Sequence, residues 1–186
     1  DIISNFEIII WTTTPWTIPG NRAVAYGKDI NYSLLEITSV GENSLAKIGD
    51  KIIIAKELVE DVMKEISVLS FNSSNNFKGS DFAGTVLAHP LNNNGYEHEV
   101  LLLEADFVTT DQGTGFVHIA PGHGADDFEL GRQNNLPIPE TVSDNGILNS
   151  DLPLLGGLRV LKDNEIIADI MSCLLYTSDA ADESTC

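Results

Sequence analysis

Gly113-Thr114-Gly115-Phe116-Val117-His118-Ile119-Ala120-Pro121-Gly122-His123-Gly124-Ala125-Asp126-Asp127 is the stretch on which the fold turns. Phe116 to Ile119 has the aromatic and β-branched make-up of a short strand, with Phe116 and His118 projecting to one face. Gly113 and Gly115 permit close backbone approach before it, and Pro121-Gly122-His123-Gly124 forces a turn after it. Asp126 to Arg132 reads as a short helix, because carboxylates in a first turn meet exposed backbone N–H groups. The turn therefore delivers Asp126 and Asp127 close to the end of the strand.

Working outward, Phe6 to Trp11 is an isoleucine-rich run that the threonines after it extend, which predicts a buried strand entering a turn at Pro15. Pro19-Gly20-Asn21 marks a second turn. Arg22 to Tyr26, Tyr32 to Thr38 and Ile52 to Ile54 read as strands. Leu58, Val59, Val62, Met63, Ile66 and Leu69 recur at helical spacing, with Glu60, Asp61, Lys64 and Glu65 opposite them, so a helix is expected there, packed on a sheet. Ser70 to Asn76 and Asn92 to Gly95 are polar and turn-forming, and read as surface loops. Further short strands are expected around Thr85-Val86-Leu87 and over Glu99 to Glu104, and a last short helix over Glu165 to Met171. Many short strands with a few helices predict an α+β domain, residues 1–171, on a mixed or antiparallel, barrel-like sheet with flanking helices. Residues 172–186 lack apolar periodicity and read as a disordered or cloning-adaptor-derived tail.

The chain has 186 residues, enough for one domain with a single core, and 42% hydrophobic against 20% charged residues reads as globular. No apolar run approaches the ~20 residues of a membrane span, and the first residues lack the pattern of a signal peptide. No membrane partner is therefore expected. A formal charge of −18 argues against broad binding to nucleic acid, although ten basic residues leave room for a local contact with a nucleic-acid end. Both cysteines, Cys173 and Cys186, fall in the final segment without metal or disulfide spacing, which fits a cytoplasmic setting.

A second segment carries chemistry: Trp11-Thr12-Thr13-Thr14-Pro15-Trp16-Thr17. In an extended chain Trp11 and Thr13 face one way, and Thr12 and Thr14 the other. Threonine runs are ordinary strand sequence, but a tryptophan held between turns beside hydroxyls makes a wall and anchor for a small polar ligand. In the glycine-rich stretch a carboxylate can bind an ammonium group, and a histidine can be base, orienter or steric wall. Each residue also has a plainer reading: His118 as a core histidine, His123 as a turn residue, the aspartates as a helix cap with Asp126 the better candidate. His118, His123, Asp126 and Asp127 are metal-ligand types, yet the helical histidine spacing of zinc proteases is absent. There is no phosphate-loop ending after Gly115 and no nucleophile elbow, so water is the expected nucleophile.

The Thr-Thr-Thr-Pro-Trp-Thr block from Thr12, the Asp-Phe-Val-Thr-Thr-Asp-Gln-Gly-Thr-Gly stretch from Asp106 and the Val-His-Ile-Ala-Pro-Gly-His-Gly-Ala-Asp-Asp block from Val117 closely resemble the editing insertion of isoleucyl-tRNA synthetases. The likeness runs from about Asp1 to Met171. Related valyl and leucyl enzymes carry arginine where Thr14 stands and lysine or methionine where His118 stands, so the combination favours the isoleucyl member among the class I Val/Ile/Leu enzymes.

That resemblance implies an aminoacyl-tRNA deacylase that receives the tRNA(Ile) acceptor end and hydrolyses valine wrongly attached to it, within an isoleucine–tRNA ligase. A pocket shaped for isoleucine discriminates only weakly against a side chain one methylene smaller, so a second, size-excluding site restores fidelity. By the same resemblance, Asp127 binds the α-amino group, His118 narrows the pocket, and Thr12, Thr13 and Thr14 contact the ester and its water. Trp16 is a neighbouring wall, and Gly115 and His123 line the substrate site. No metal is implied. The His-Ile-Gly-His and Lys-Met-Ser-Lys-Ser type signatures occur nowhere in the chain, so ATP and Mg are expected only for the full-length ligase. The alternatives from other classes are a non-catalytic module that binds the tRNA acceptor end and a metal-dependent hydrolase.

Overall fold

A computed structural model describes the backbone of residues 6–177 and the side chains of residues 6–172. Its strands are β1 Glu7–Ile8, β2 Ala23–Tyr26, β3 Asn31–Val40, β4 Lys51–Ala55, β5 Val68–Lys78, β6 Val86–Ala88, β7 Glu99–Glu104 and β8 Phe116–Ile119. Its α-helices are α1 Val59–Glu65, α2 Ala125–Gln133 and α3 Asn164–Thr177. The chain divides into two compact units: Asp1–Trp11, Val24–Thr85 and Leu102–His118 form the first, and Thr12–Ala23, Val86–Leu101 and Ile119–Cys186 the second.

The first unit is organised by the apolar run Ile52-Ile53-Ile54-Ala55, each residue at most 1% exposed. A continuously buried strand of this kind must be covered on both faces and paired on both edges. β4 is accordingly central, parallel to β1 and antiparallel to β3, which pairs in turn with β5, giving the order β1-β4-β3-β5. Tyr32 and Phe82, both fully buried, meet edge to face at 5.1 Å, and Phe116 lies 4.6 Å from Tyr32. Such aromatic pairs add roughly 0.5–1.5 kcal/mol each beyond the area they bury.

The second unit has its own core, including Ile18, Leu91, Tyr96, Ile119, Leu148, Leu155 and Ile167, all under 5% exposed. α3 packs on the 3₁₀ helix Pro15–Gly20. β6 and β7 pair antiparallel from Val86↔Leu101 to Ala88↔Glu99.

The structure corrects the sequence reading in several places. The expected barrel-like sheet is two separate mixed sheets, with orders β1-β4-β3-β5 and β6-β7-β2-β8. A barrel needs its last strand bonded to its first, whereas each sheet here keeps free ends, among them the two-residue β1 and three-residue β6. The strand expected to run from Phe6 into the threonines stops at Ile8, and the threonines instead lead into the 3₁₀ helix whose φ Pro15 and Pro19 fix. Leu69 matched the helical spacing but lies on β5, 71% exposed, since α1 ends at Glu65 and Ser67 turns with φ 57°. The loop expected at Ser70 to Asn76 is the middle of β5, an edge strand whose serines and asparagines face water on both sides. α3 begins within a residue of the expected Glu165 and reaches Thr177, into the segment read as a tail, while residues 178–186 lie outside the described residues.

Candidate functional site

Thr12, Thr13, Thr14, Trp16, His123 and Asp127 all belong to the second unit, whereas Gly115 and His118 belong to the first. Within the second unit the threonine segment is a locked turn. Thr14 N–H donates to Thr12 Oγ1 at 3.1 Å, the two hydroxyls lie 3.2 Å apart, and Thr14 O accepts from Thr17 N–H at 3.0 Å and Thr17 Oγ1 at 2.9 Å. Side-chain hydroxyls that bond nearby backbone substitute for strand pairing, which is why the run is neither strand nor coil. Thr12 and Thr14 share a side and are half-buried, while Trp11 and Thr13 are exposed. Trp16 is half-buried in the 3₁₀ helix.

The acidic turn is built with equal economy. His123 N–H donates to Ala120 O at 2.8 Å, closing the turn, and Ala120 N–H donates to Asp127 Oδ2 at 2.8 Å. Asp127 is the third residue of α2, after the N-cap Gly124, whose lack of a side chain leaves the helix uncapped there. A Cβ on Gly124 would stand 3.2 Å from the Asp127 carboxyl, so glycine leaves room for that group to fold back toward the turn. It is therefore Asp127, not the exposed Asp126, that reaches back to the end of β8.

Electrostatics set these two groups apart. Burial holds the Asp127 carboxyl above its ordinary range, partly countered by the Ala120 N–H, while Asp126 adds to the rise and His123 opposes it. Burial pushes His123 below the ordinary histidine value, against the pull of Asp127. Both shifts disfavour the charged forms, the imidazolium of His123 and the carboxylate of Asp127. An ammonium group is the ligand that relieves such a carboxylate.

The end of the 3₁₀ helix that follows the threonines meets the acidic turn. Arg22 N–H donates to Ile119 O at 3.0 Å, and the side-chain amide of the fully buried Asn21 reaches Ile119 O at 3.5 Å and Ala23 O at 2.9 Å. A Cβ on Gly20 would lie 3.3 Å from His123 Cδ2, so glycine admits the imidazole against the end of the 3₁₀ helix.

In the first unit, Gly115 has φ +81°, its carbonyl accepts from Tyr32 Oη–H at 2.8 Å, and a Cβ there would overlap that of Ala55. That close approach accounts for glycine without a ligand. His118 is half-buried on β8. Among the described residues no three of His, Cys, Asp and Glu are grouped as metal ligands.

Sequence reasoning missed Thr141. Only 2% exposed, it is hydrogen-bonded through Oγ1 to His123 Nε2 at 2.6 Å and fixes the imidazole edge. Its own position comes from a hairpin-like turn, in which Val142 bridges Leu148 and Gly146 takes φ +72°. The Asn145-Gly146 pair was the available signal for that turn.

Comparison with known proteins identifies the family and the fold. The family model described as "Leucyl-tRNA synthetase, editing domain" matches residues 41–152. The chain is 42% identical over 170 residues to the isoleucine–tRNA ligase of Gluconobacter oxydans, covering 91% of this chain and 18% of that protein. It is 46% identical over 163 residues to that of Caulobacter vibrioides, covering 84% and 16%. The chain thus spans less than a fifth of the length of these relatives. Among solved structures, GlLeuRS-CP1 superposes with a TM-score of 0.67 at 14% identity, covering 99% of this chain and 87% of that one. The editing domain of the P. falciparum cytosolic leucyl-tRNA synthetase gives 0.66 at 12%, covering 92% and 79%. At such identities the likeness is one of fold.

Proposed function

The chain belongs to the family of synthetase editing domains, in a form related to isoleucyl-tRNA synthetases, and from that premise we propose that it deacylates valyl-tRNA(Ile), releasing valine and free tRNA. The observation that supports the proposal is the packing of the 3₁₀ helix end, Gly20 to Arg22, against the turn that holds His123 and Asp127. Ester hydrolysis needs a fixed amino acid and a fixed water. In this reading the Asp127 carboxylate binds the α-ammonium group, and the Thr12, Thr13 and Thr14 hydroxyls orient the ester and the attacking water. Trp16 supplies an apolar wall. His118 limits side-chain size, admitting valine and refusing isoleucine. The water's oxygen adds to the ester carbonyl, and collapse of the tetrahedral intermediate expels the ribose oxygen of the terminal adenosine, which takes up the proton. Held so close to their reaction geometry, the reactants gain rate chiefly from positioning.

The partners of the proposal are the tRNA(Ile) acceptor end and the remaining domains of a parent ligase; ATP and Mg belong to that parent's synthetic step. One assay separates it from the alternatives: release of valine and isoleucine from the corresponding charged tRNA(Ile), with and without chelator. Valine release insensitive to chelator is the expected result. Binding of the acceptor end without release identifies a non-catalytic module, and chelator-sensitive release identifies a metal hydrolase.

A further inference from the structure

The carbonyl end of the 3₁₀ helix Pro15–Gly20 is held by side chains that the editing reading does not use. The last carbonyls of any helix lack partners within it. Here Ile18 O lies 2.9 Å from His89 Nε2, and because His89 Nδ1 accepts from Leu91 N–H at 3.0 Å, the neutral ring carries its proton on Nε2 and donates to Ile18 O. Arg22 Nη1 shares its hydrogens among Pro19 O at 3.3 Å, Asn21 O, and His98 Nε2 at 2.8 Å. The imidazoles of His89 and His98 are 4.7 Å apart, and His89 stacks on Tyr96 at 5.0 Å and 15°. Tyr96 is anchored through its hydroxyl to Pro153 O at 2.9 Å.

This Arg22 is unusual in a chain of net charge −18. The ion pairs among the described residues join Lys28 to Glu104, Lys78 to Asp29 and Arg132 to Glu129, and Arg22 takes part in none of them. A half-buried guanidinium without a carboxylate costs free energy that ordinary surface arginines do not incur. Its hydrogen bonds converge on the backbone that ends the 3₁₀ helix and on the imidazole beside it. Pro15 and Pro19 fix φ within that helix, which is roughly 12 Å long at ~2 Å per residue. A shift at the Arg22 end is therefore passed along a stiff segment to Thr12, Thr13 and Thr14.

We propose that Arg22, His98 and His89 form a positioning clamp that holds the 3₁₀ helix in the pose its threonines need for hydrolysis. The clamp acts through the backbone and does not itself touch substrate. It rests on the deacylase reading for its catalytic consequence, but not for its mechanical one.

The test uses the 186-residue chain and compares Arg22→Lys, which keeps the charge and loses the fork, with His98→Leu and His98→Gln. Amide exchange is read at Thr17 and Asn21, whose N–H groups bond Thr14 O and Ile18 O. Valyl-tRNA(Ile) hydrolysis is read as kcat and KM. Arg22→Lys and His98→Leu are expected to speed exchange at both amides by about tenfold relative to the Leu130 and Ile167 amides, and to lower kcat by about tenfold with KM nearly unchanged, the loss expected from small misplacement of reacting groups. His98→Gln, which restores an acceptor for Arg22, is expected to recover part of both. Lower melting temperature with exchange at Thr17 and Asn21 and kcat unaltered overturns the clamp and leaves a structural role only. If the unaltered chain releases no valine, the deacylase reading fails, and the exchange comparison still decides whether the clamp exists.

Discussion

Thr114–Phe116 and Ala120–Asp127 are neighbouring parts of one continuous stretch, yet they are held in opposite ways. At Gly115 the backbone presses on Ala55, its carbonyl takes the Tyr32 hydroxyl, and Phe116 joins an aromatic group with Tyr32 and Phe82. Each of these contacts stabilises the fold. Around Ala120–Asp127 a carboxyl is pushed up by burial and an imidazole pushed down, each in surroundings that oppose its charge. The Ala120 N–H gives the Asp127 carboxyl a place in the turn, and the proposed ammonium group would offset the rest of its burial.

The sharpest way to break the comparison is Gly115→Ala. Its Cβ has no room against Ala55 and its φ is +81°, so stability should fall by about 3 kcal/mol in urea unfolding. Stability within 1 kcal/mol of the unaltered chain would show that Gly115 is not a packing residue. His118→Ala sharpens the other side. If His118 refuses isoleucine, hydrolysis of isoleucyl-tRNA(Ile) should rise by about tenfold, or ~1.4 kcal/mol of transition-state discrimination. Continued protection of that product would assign the size limit to another residue.

Thr141→Val removes the partner of His123 Nε2 in a buried setting, which should lower stability by about 1 kcal/mol, with Thr141→Ser recovering most of it. The smallest effect concerns pH. The folded state binds the Asp127 proton more tightly than the unfolded chain does, so ionisation of Asp127 subtracts from stability once pH rises above the unfolded value. Asp127→Asn should therefore melt slightly higher at pH 7, and the gain should shrink as pH falls through the raised Asp127 range and be gone below the ordinary aspartate value. A gain that grows toward acid would mean that burial does not raise this carboxyl.

Much of the frame was legible because local chemistry and burial agree there. Glu99–Glu104 and Phe116–Ile119 were read to the residue, and the helix after Gly124 within one residue at each end. Where tertiary pairing decides, the sequence misled. The serines and asparagines of β5 have turn chemistry, and only the partner strand β3 makes them extended. The threonines before Pro15 have strand propensity, and their hydroxyls turn it into a bonded bend. In the site, motif residues could be named from order along the chain. Thr141 and Arg22 could not, since a buried threonine and an arginine holding carbonyls carry no mark until the chain is folded.

The central claim is that the carboxylate of Asp127 holds the amino group of a mischarged valine. Valine release from valyl-tRNA(Ile) at neutral pH, measured side by side for the unaltered chain and Asp127→Ala, tests it most directly. The account predicts release by the unaltered chain and a fall of about 100-fold or more in the variant, the scale of losing one partner of a close charge pair, with the circular dichroism spectrum unchanged. Equal rates of valine release from the two proteins would contradict it.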